Sequence, residues 1–201
     1  MNKVSIKWIL VNDGSTQNMS NDFIDRISKD LSHFQYINLL SNKGKGYATR
    51  KGMQQVDADG YIYTDIDFPY QNDDIVRMLK ALQDGADLVI AKRSEQYYSK
   101  VSASRTWISK RFKGLIRLLF NIPTTDTQAG LKGLSPKAKN LLLQTKVDRY
   151  LFDLELVKLC AKKNLKIVEL QVQLKEGVVL SKVSYKVLFT EFFNLLRIFF
   201  R

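Results

Sequence analysis

Two apolar periods alternate along the first half of this chain. Val4, Ile6, Trp8 and Leu10 repeat at every second position until Asn12-Asp13-Gly14-Ser15 interrupts them, which predicts a strand running into a turn. From about Asp22 to His33 the apolar positions Phe23, Ile27 and Leu31 share one helical face. Tyr36 to Leu40 reads as a second strand, and a helix follows Gly46. Tyr61 to Thr64 reads as a short buried strand, Asp73 to Leu82 as a helix and Asp87 to Ala91 as an apolar strand. This β-α-β-α-β-α-β order predicts an α/β domain on a mainly parallel sheet flanked by helices. Asp73 and Asp74, at the head of the third helix, are expected to cap it.

The second half is less regular. Ser102 to Phe120 carries a long basic helical pattern, and Pro123 to Gly130 reads as a loop. Leu151 to Lys163 is amphipathic, and Leu165 to Leu174 alternates like a strand. Tyr185, Leu188, Phe189, Phe192, Leu195, Leu196 and Phe199 recur at helical spacing. With no flexible linker and no repeat, the chain divides into one domain over 1–180 and a C-terminal amphipathic helix over 181–201. Lys182, Lys186, Arg197 and Arg201 flank the Phe/Leu stripe of that helix. Such a helix suits peripheral contact with a membrane interface, packing on the domain's own core, or packing on another subunit of a homo-oligomer.

Composition narrows the partners. The 201 residues are 45% hydrophobic and 26% charged, which excludes wholesale disorder and suffices for one core. A formal net charge of +12 calls for an anionic partner: nucleic acid, phosphorylated small molecules or a membrane surface. Cys160 is the only cysteine, so no intrachain disulfide forms; it reads as a small core residue in a reducing compartment. His33 is also alone, which argues against zinc. Val4 to Val11 is too short for a signal peptide, and no apolar run matches a membrane span. The expected location is the cytoplasm, at the inner face of the cell membrane.

Four segments carry chemistry. Asp65-Ile66-Asp67 places two carboxylates one residue apart just past a strand, on one side of an extended backbone. They read either as ligands for Mg²⁺ or Mn²⁺ bridging to a diphosphate or as a solvated acidic turn. Asn42-Lys43-Gly44-Lys45-Gly46 reads as a glycine turn before a basic helix, open to an anion at the helix start. It is neither a Walker loop nor a dinucleotide fingerprint. The basic stretch contains Arg93 and, four residues apart, Arg105 and Ser109, a pairing suited to a phosphate group. Asp126-Thr127-Gln128-Ala129-Gly130 is a polar loop able to hold sugar hydroxyls.

Taken in order, Val11-Asn12-Asp13-Gly14-Ser15-Thr16, Asn42 to Gly46, Asp65-Ile66-Asp67, Arg93, Arg105 with Ser109, Asp126 to Lys132 and Phe152-Asp153-Leu154-Glu155-Leu156 resemble glycosyltransferase family 2. Within it, the motifs are most like those of the dolichyl- or polyprenyl-phosphate mannose and glucose synthases. The resemblance implies a GT-A fold and an inverting transfer of a hexose from a UDP- or GDP-sugar donor to a polyprenyl phosphate or glycan acceptor, with Mg²⁺ or Mn²⁺. It implies Asp13 and Gly14 at the nucleobase or ribose and Lys45 near the nucleotide. Asp65 and Asp67 would serve the metal and diphosphate. Arg93, Arg105 and Ser109 would meet phosphates, and Asp126 and Gln128 would face the sugar. Asp67, Asp126 and Arg105 are the candidate catalytic residues, Asp126 as general base if the acceptor is a hydroxyl. The same seven blocks account for the basic residues without a nucleic-acid partner.

Two positions depart from the family pattern. Members usually begin with a further strand ending in a Pro-x-Tyr-Asn-Glu-like turn, so the sheet is expected to lack that first strand. This opens a second reading, a degenerate non-catalytic domain acting as a partner or regulatory subunit. In the family's Arg-x-x-Gly-x-Ser-Lys segment, Ser181-Lys182 fits but Glu176 and Val179 replace Arg and Gly.

Overall fold

The computed structural model describes residues 4–17, 19–93, 111, 114, 116, 119–120, 122, 124, 126–127, 129–173, 175 and 185–200. Strand β1 (Trp8–Asp13) pairs in parallel with β2 (Phe34–Leu39), from Trp8 opposite Phe34 to Asp13 opposite Leu39. Between them lies helix α1 (Asn21–Asp30), whose N-cap Ser20 accepts a hydrogen bond from the Phe23 amide at 3.3 Å. Helix α2 (Lys45–Met53) follows and crosses β1. Its Gly52 leaves only 3.1 Å between an added Cβ and Val11 Cγ2, so the absence of a side chain lets helix and strand close. Strand β1 is the strand expected to lead into Asp13, and the expectation of a lacking first strand finds no support in the structure.

A second sheet orders β3 (Tyr61–Tyr63), β5 (Lys132–Leu134), β4 (Leu88–Arg93) and β6 (Ile167–Val172) side by side. Helix α3 (Asn72–Gln83) packs on it, α4 (Pro136–Gln144) and α5 (Phe152–Lys162) lie between β5 and β6 in the chain, and α6 (Tyr185–Phe199) follows. Strand β4 shows why this sheet is central. All four residues of Leu88-Val89-Ile90-Ala91 are fully buried. Leu88 and Ile90 face one core with Tyr61, Tyr63, Leu134, Leu142 and Phe152, while Val89 and Ala91 face a second with Met78, Leu131 and Val172.

The mainly parallel direction holds with one exception, since β3, β4 and β6 run the same way and only β5 is reversed between them. Among the described residues, β1–β2 and β4–β6 are parallel, whereas β5 runs antiparallel to both β3 and β4. Three residues, one of them Gly133, carry too little alternation to announce a strand. Gly133 is nonetheless what fits between its neighbours, since a Cβ there would meet Met78 Cγ of α3 at 2.8 Å. The capping expectation for Asp73 and Asp74 also changes. Gln71 is the N-cap, and buried Asp74 instead accepts from the Gln173 amide at 3.0 Å, tying α3 to the end of β6. Cys160 is a buried core residue, and burial pushes its thiol up to about 12. In α6, Leu195 and Ile198 are buried in the main core while Phe192, Phe193 and Phe199, with Phe200 just beyond the helix, are exposed.

Candidate active site

The site residues gather where β1, β3 and β4 end. Strand β1 terminates in an Asx-type turn: the buried Asn12 accepts from the Ser15 amide at 2.8 Å and donates to Ser15 O and to Asn38 Oδ1, both at 2.9 Å. Asp13 then reaches across to the second loop. Its two carboxylate oxygens accept from the amides of Lys43 (2.7 Å) and Gly44 (2.8 Å). Gly14 closes the junction at φ 76°, where a Cβ would stand 2.5 Å from the Asn42 nitrogen. The first two motif blocks are thus one structure, a carboxylate-clamped glycine loop in front of α2.

Lys45, the first residue of α2, forms an ion pair with Asp65 at 2.5 Å, its side chain 24% exposed and that of Asp65 42%. Burial alone would lower the Lys45 ammonium, but the carboxylates of Asp153 and Asp65 together raise it, so it stays charged. Gly130 presses against this pair; a Cβ on it would lie 2.0 Å from Asp65 Oδ2 and 3.3 Å from Lys45 Nζ. Three segments far apart in sequence therefore meet at one carboxylate.

Asp65 and Asp67 do not lie on the extended backbone expected of them. Strand β3 stops at Tyr63, opposite Lys132, and residues 65–68 form a turn in which the Phe68 amide donates to Asp65 O at 3.1 Å. The two carboxylates belong to a turn and not to an extended segment. Asp67 is exposed, whereas Asp65 is partly buried and paired with Lys45. No cluster of three or more His, Cys, Asp or Glu occurs among the described residues. Asp65 and Asp67 alone could hold a divalent ion only together with oxygens from another source, such as a phosphate or water.

Arg93 ends β4 and is held by Asp126. Its Nε donates to Oδ2 at 3.0 Å and to Oδ1 at 3.2 Å, its NH2 nitrogen lies 2.5 Å from Oδ1, and its own amide donates to Oδ2 at 3.0 Å. The Asp126 side chain is fully buried. Both oxygens are committed to a fork-shaped partner, so this carboxylate orients a guanidinium. That geometry opposes its use as a general base. Tyr70 links the two corners. It is buried, interacts with Arg93, Asp126 and Asp65, and hydrogen-bonds the Gly130 backbone; burial raises its phenol well above the ordinary value.

Of the expected residues, Asp13, Gly14, Lys45, Asp65, Asp67, Arg93 and Asp126 line these loop ends. Arg105, Ser109 and Gln128 lie outside the described residues, as do Glu176, Val179, Ser181 and Lys182. Tyr63, Tyr70, Lys132 and Asp153 also lie at this corner, although no residue pattern singles them out. The last two stand in the sequence within the motif blocks. Their only signal is a Lys inside an apolar stretch and an Asp in the first turn of an apolar helix.

Comparison with known proteins shows the family and the fold. Residues 4–140 match the family model described as glycosyl transferase family 2. The chain is 27% identical over 183 residues to a dolichyl-phosphate beta-glucosyltransferase of Trichomonas vaginalis, covering 86% of this chain and 55% of that protein. It is 26% identical over 188 residues to the dolichyl-phosphate beta-glucosyltransferase of Dictyostelium discoideum, covering 87% and 56%. It thus spans about half the length of these curated relatives. Among solved structures, glucosyl-3-phosphoglycerate synthase from Mycobacterium tuberculosis in complex with Mn²⁺, uridine diphosphate and glucosyl-3-phosphoglycerate superposes with a TM-score of 0.61. That match has 14% identity and covers 90% of this chain and 63% of that one. The same enzyme with Mg²⁺ and uridine diphosphate gives a TM-score of 0.60, also at 14% identity, covering 90% and 62%. At this identity the likeness speaks for a shared fold.

Proposed function

The chain belongs to glycosyltransferase family 2, and from that premise we propose that it moves a hexose from a UDP- or GDP-sugar to a polyprenyl phosphate with inversion at the anomeric carbon. The observation that carries this reading is the meeting of Lys45, Asp65 and Gly130 at one carboxylate beside the exposed Asp67. A carboxylate pair for a cation, a lysine and a side-chain-free backbone together suit a diphosphate. Bound at Asp65 and Asp67, Mg²⁺ or Mn²⁺ would supply counter-charge for the departing diphosphate. The Asp13-clamped loop would wall the nucleoside. Arg93, aimed by Asp126, would meet a phosphate of donor or acceptor.

In this scheme an acceptor phosphate oxygen forms the new bond to the anomeric carbon from the face opposite the donor diphosphate. The bond from that carbon to the diphosphate oxygen breaks, and the nucleoside diphosphate leaves with the electron pair. A phosphate oxygen is already anionic near neutral pH, so no general base is required, which agrees with Asp126 being committed to Arg93. Rate then comes from positioning and charge stabilisation. The relatives named for dolichyl phosphate support a lipid-linked acceptor. So does α6: among the described residues no helix is long and apolar enough to cross a membrane, but its exposed Phe192, Phe193 and Phe199 suit the interface.

The deciding experiment measures UDP or GDP release from UDP- or GDP-hexose with a short polyprenyl phosphate and Mn²⁺ or Mg²⁺. Release that disappears in Asp67→Ala supports the proposal; no release with any nucleotide sugar refutes it. The non-catalytic reading draws on the Lys45–Asp65 pair, which already gives Asp65 a cation. It predicts no metal-dependent donor binding by calorimetry.

A further inference from the structure

Beneath the donor corner lies a buried polar network that the proposed reaction does not use. Lys132 is the centre of it. Its side chain is fully buried at the start of β5, as are Leu131 just before it and Leu134 at the strand's end. The ammonium pairs with Asp153 at 2.9 Å, that carboxylate being 4% exposed, and donates to Ala129 O at 2.8 Å. Tyr63 donates its hydroxyl to the same Asp153 oxygen. Tyr63 and Lys132 are register partners across β3 and β5.

A buried ion pair contributes little net stability, because desolvation offsets the attraction; apolar residues of the same size commonly do as well. Its position explains it better. Each member is joined to a different wall of the corner above. Tyr63 lies two residues before Asp65. Ala129, held by Lys132, immediately precedes Gly130, which touches Asp65 and Lys45. Asp153 lies in the first turn of α5 next to Phe152, which packs against Gly46, the neighbour of Lys45. Asp153 also attracts Lys45 through space. The charges therefore alternate in sequence: Asp65, Lys45, Asp153, Lys132.

We propose that Lys132 is a positioning residue: with Asp153 and Tyr63 it holds the Ala129–Gly130 turn against Asp65, and so sets the placement of the carboxylate and lysine that receive a cation and a nucleoside diphosphate. The proposal rests on the donor-site reading above. Outer groups of this kind typically change metal affinity by about 10–100-fold when removed.

The test uses two variants of the full chain. Lys132→Met with Asp153→Asn removes both charges together, so no lone buried charge remains to unfold the protein. Tyr63→Phe deletes a single hydroxyl. Two readouts are taken: Mn²⁺ and UDP binding by calorimetry, and backbone amide NMR shifts without ligand. The expected result is binding weakened about tenfold in the double variant, and less in Tyr63→Phe. Amide shifts should concentrate at Gly130 and residues 64–67, with α1 unmoved. A folded double variant that binds as the wild type, or whose Gly130 and Asp65 amides do not move, overturns the proposal. Absence of Mn²⁺ and UDP binding in the wild type refutes the donor-site reading instead. The ligand-free NMR comparison then decides the positioning claim alone: shifts at Gly130 uphold it, and their absence overturns it.

Discussion

Replacing Gly130 with alanine isolates one contact. The backbone there lies outside the left-handed region, so alanine adds no conformational strain and the whole effect comes from its methyl group. That methyl would stand 2.0 Å from Asp65 Oδ2, about 1.4 Å short of the 3.4 Å of ordinary contact. Asp65 is 42% exposed and its carboxylate can swing outward. Doing so costs about 0.5–1.5 kcal/mol of rotamer energy. The loss of a solvent-screened pair with Lys45 adds about 0.2–1 kcal/mol. The expected stability loss is therefore small, about 1–2 kcal/mol. Binding should suffer far more, since misplacing a site group by about 1 Å can cost on the order of 100-fold. Urea unfolding measures the first quantity, and calorimetry with Mn²⁺ and UDP the second. Gly60→Ala is the control, because its methyl would meet only Leu82 Cδ1 at 3.4 Å. Unchanged Mn²⁺ and UDP affinity in Gly130→Ala would refute the claim that this turn sets the Asp65 carboxylate.

Gly44→Ala should be destabilised by at least about 1–3 kcal/mol in urea, because φ is 106° and a methyl would lie 2.4 Å from Asp148 O. Glu191, whose carboxylate accepts from the Leu151 amide, has its acid raised above 4.5 chiefly by burial. The folded state thus holds this proton more tightly than the unfolded one, so its contribution is full below that ordinary value and is lost as pH rises through the folded one. Urea stability of the wild type relative to Glu191→Gln is expected to fall over that rise; a flat difference would contradict it. Changing Phe192, Phe193 and Phe200 together to serine should abolish flotation with anionic liposomes while leaving the melting temperature near that of the wild type. Deleting α6 would be a poorer test, since Leu195 and Ile198 belong to the core.

Much of the fold was legible because it rests on local periodicity. The 3.6-residue pattern around Phe23 and Ile27 announced α1, and the unbroken Leu88-Val89-Ile90-Ala91 run announced a strand buried on both faces. Asn12-Asp13-Gly14 and Asn42 to Gly46 were readable as turns, because glycine and Asx residues encode turn geometry within a few positions. Strand β5 was not legible. Its three residues have no period of their own and become a strand only by filling the space between β3 and β4. Helix α4 went unread as well, although Ser135-Pro136 is a start signal: Ser135 accepts from the Ala138 amide at 3.3 Å, with Pro136 in the first turn.

The site divides along the same line. The sequence by itself determined which groups are present: paired carboxylates, a basic glycine loop, an arginine at a strand end and a polar loop, in an order that marks a family. Only the tertiary structure decided what each group faces. Asp13 turns to the amides of Lys43 and Gly44, Asp126 is buried against Arg93, and Lys45 reaches Asp65 beside Gly130. Lys132 and Asp153 read as one residue of an apolar strand and one of a helix until the fold sets them 2.9 Å apart. Side-chain chemistry is local to each residue, but electrostatic environment and approach distance are set by segments 20–90 positions away, which no local pattern encodes.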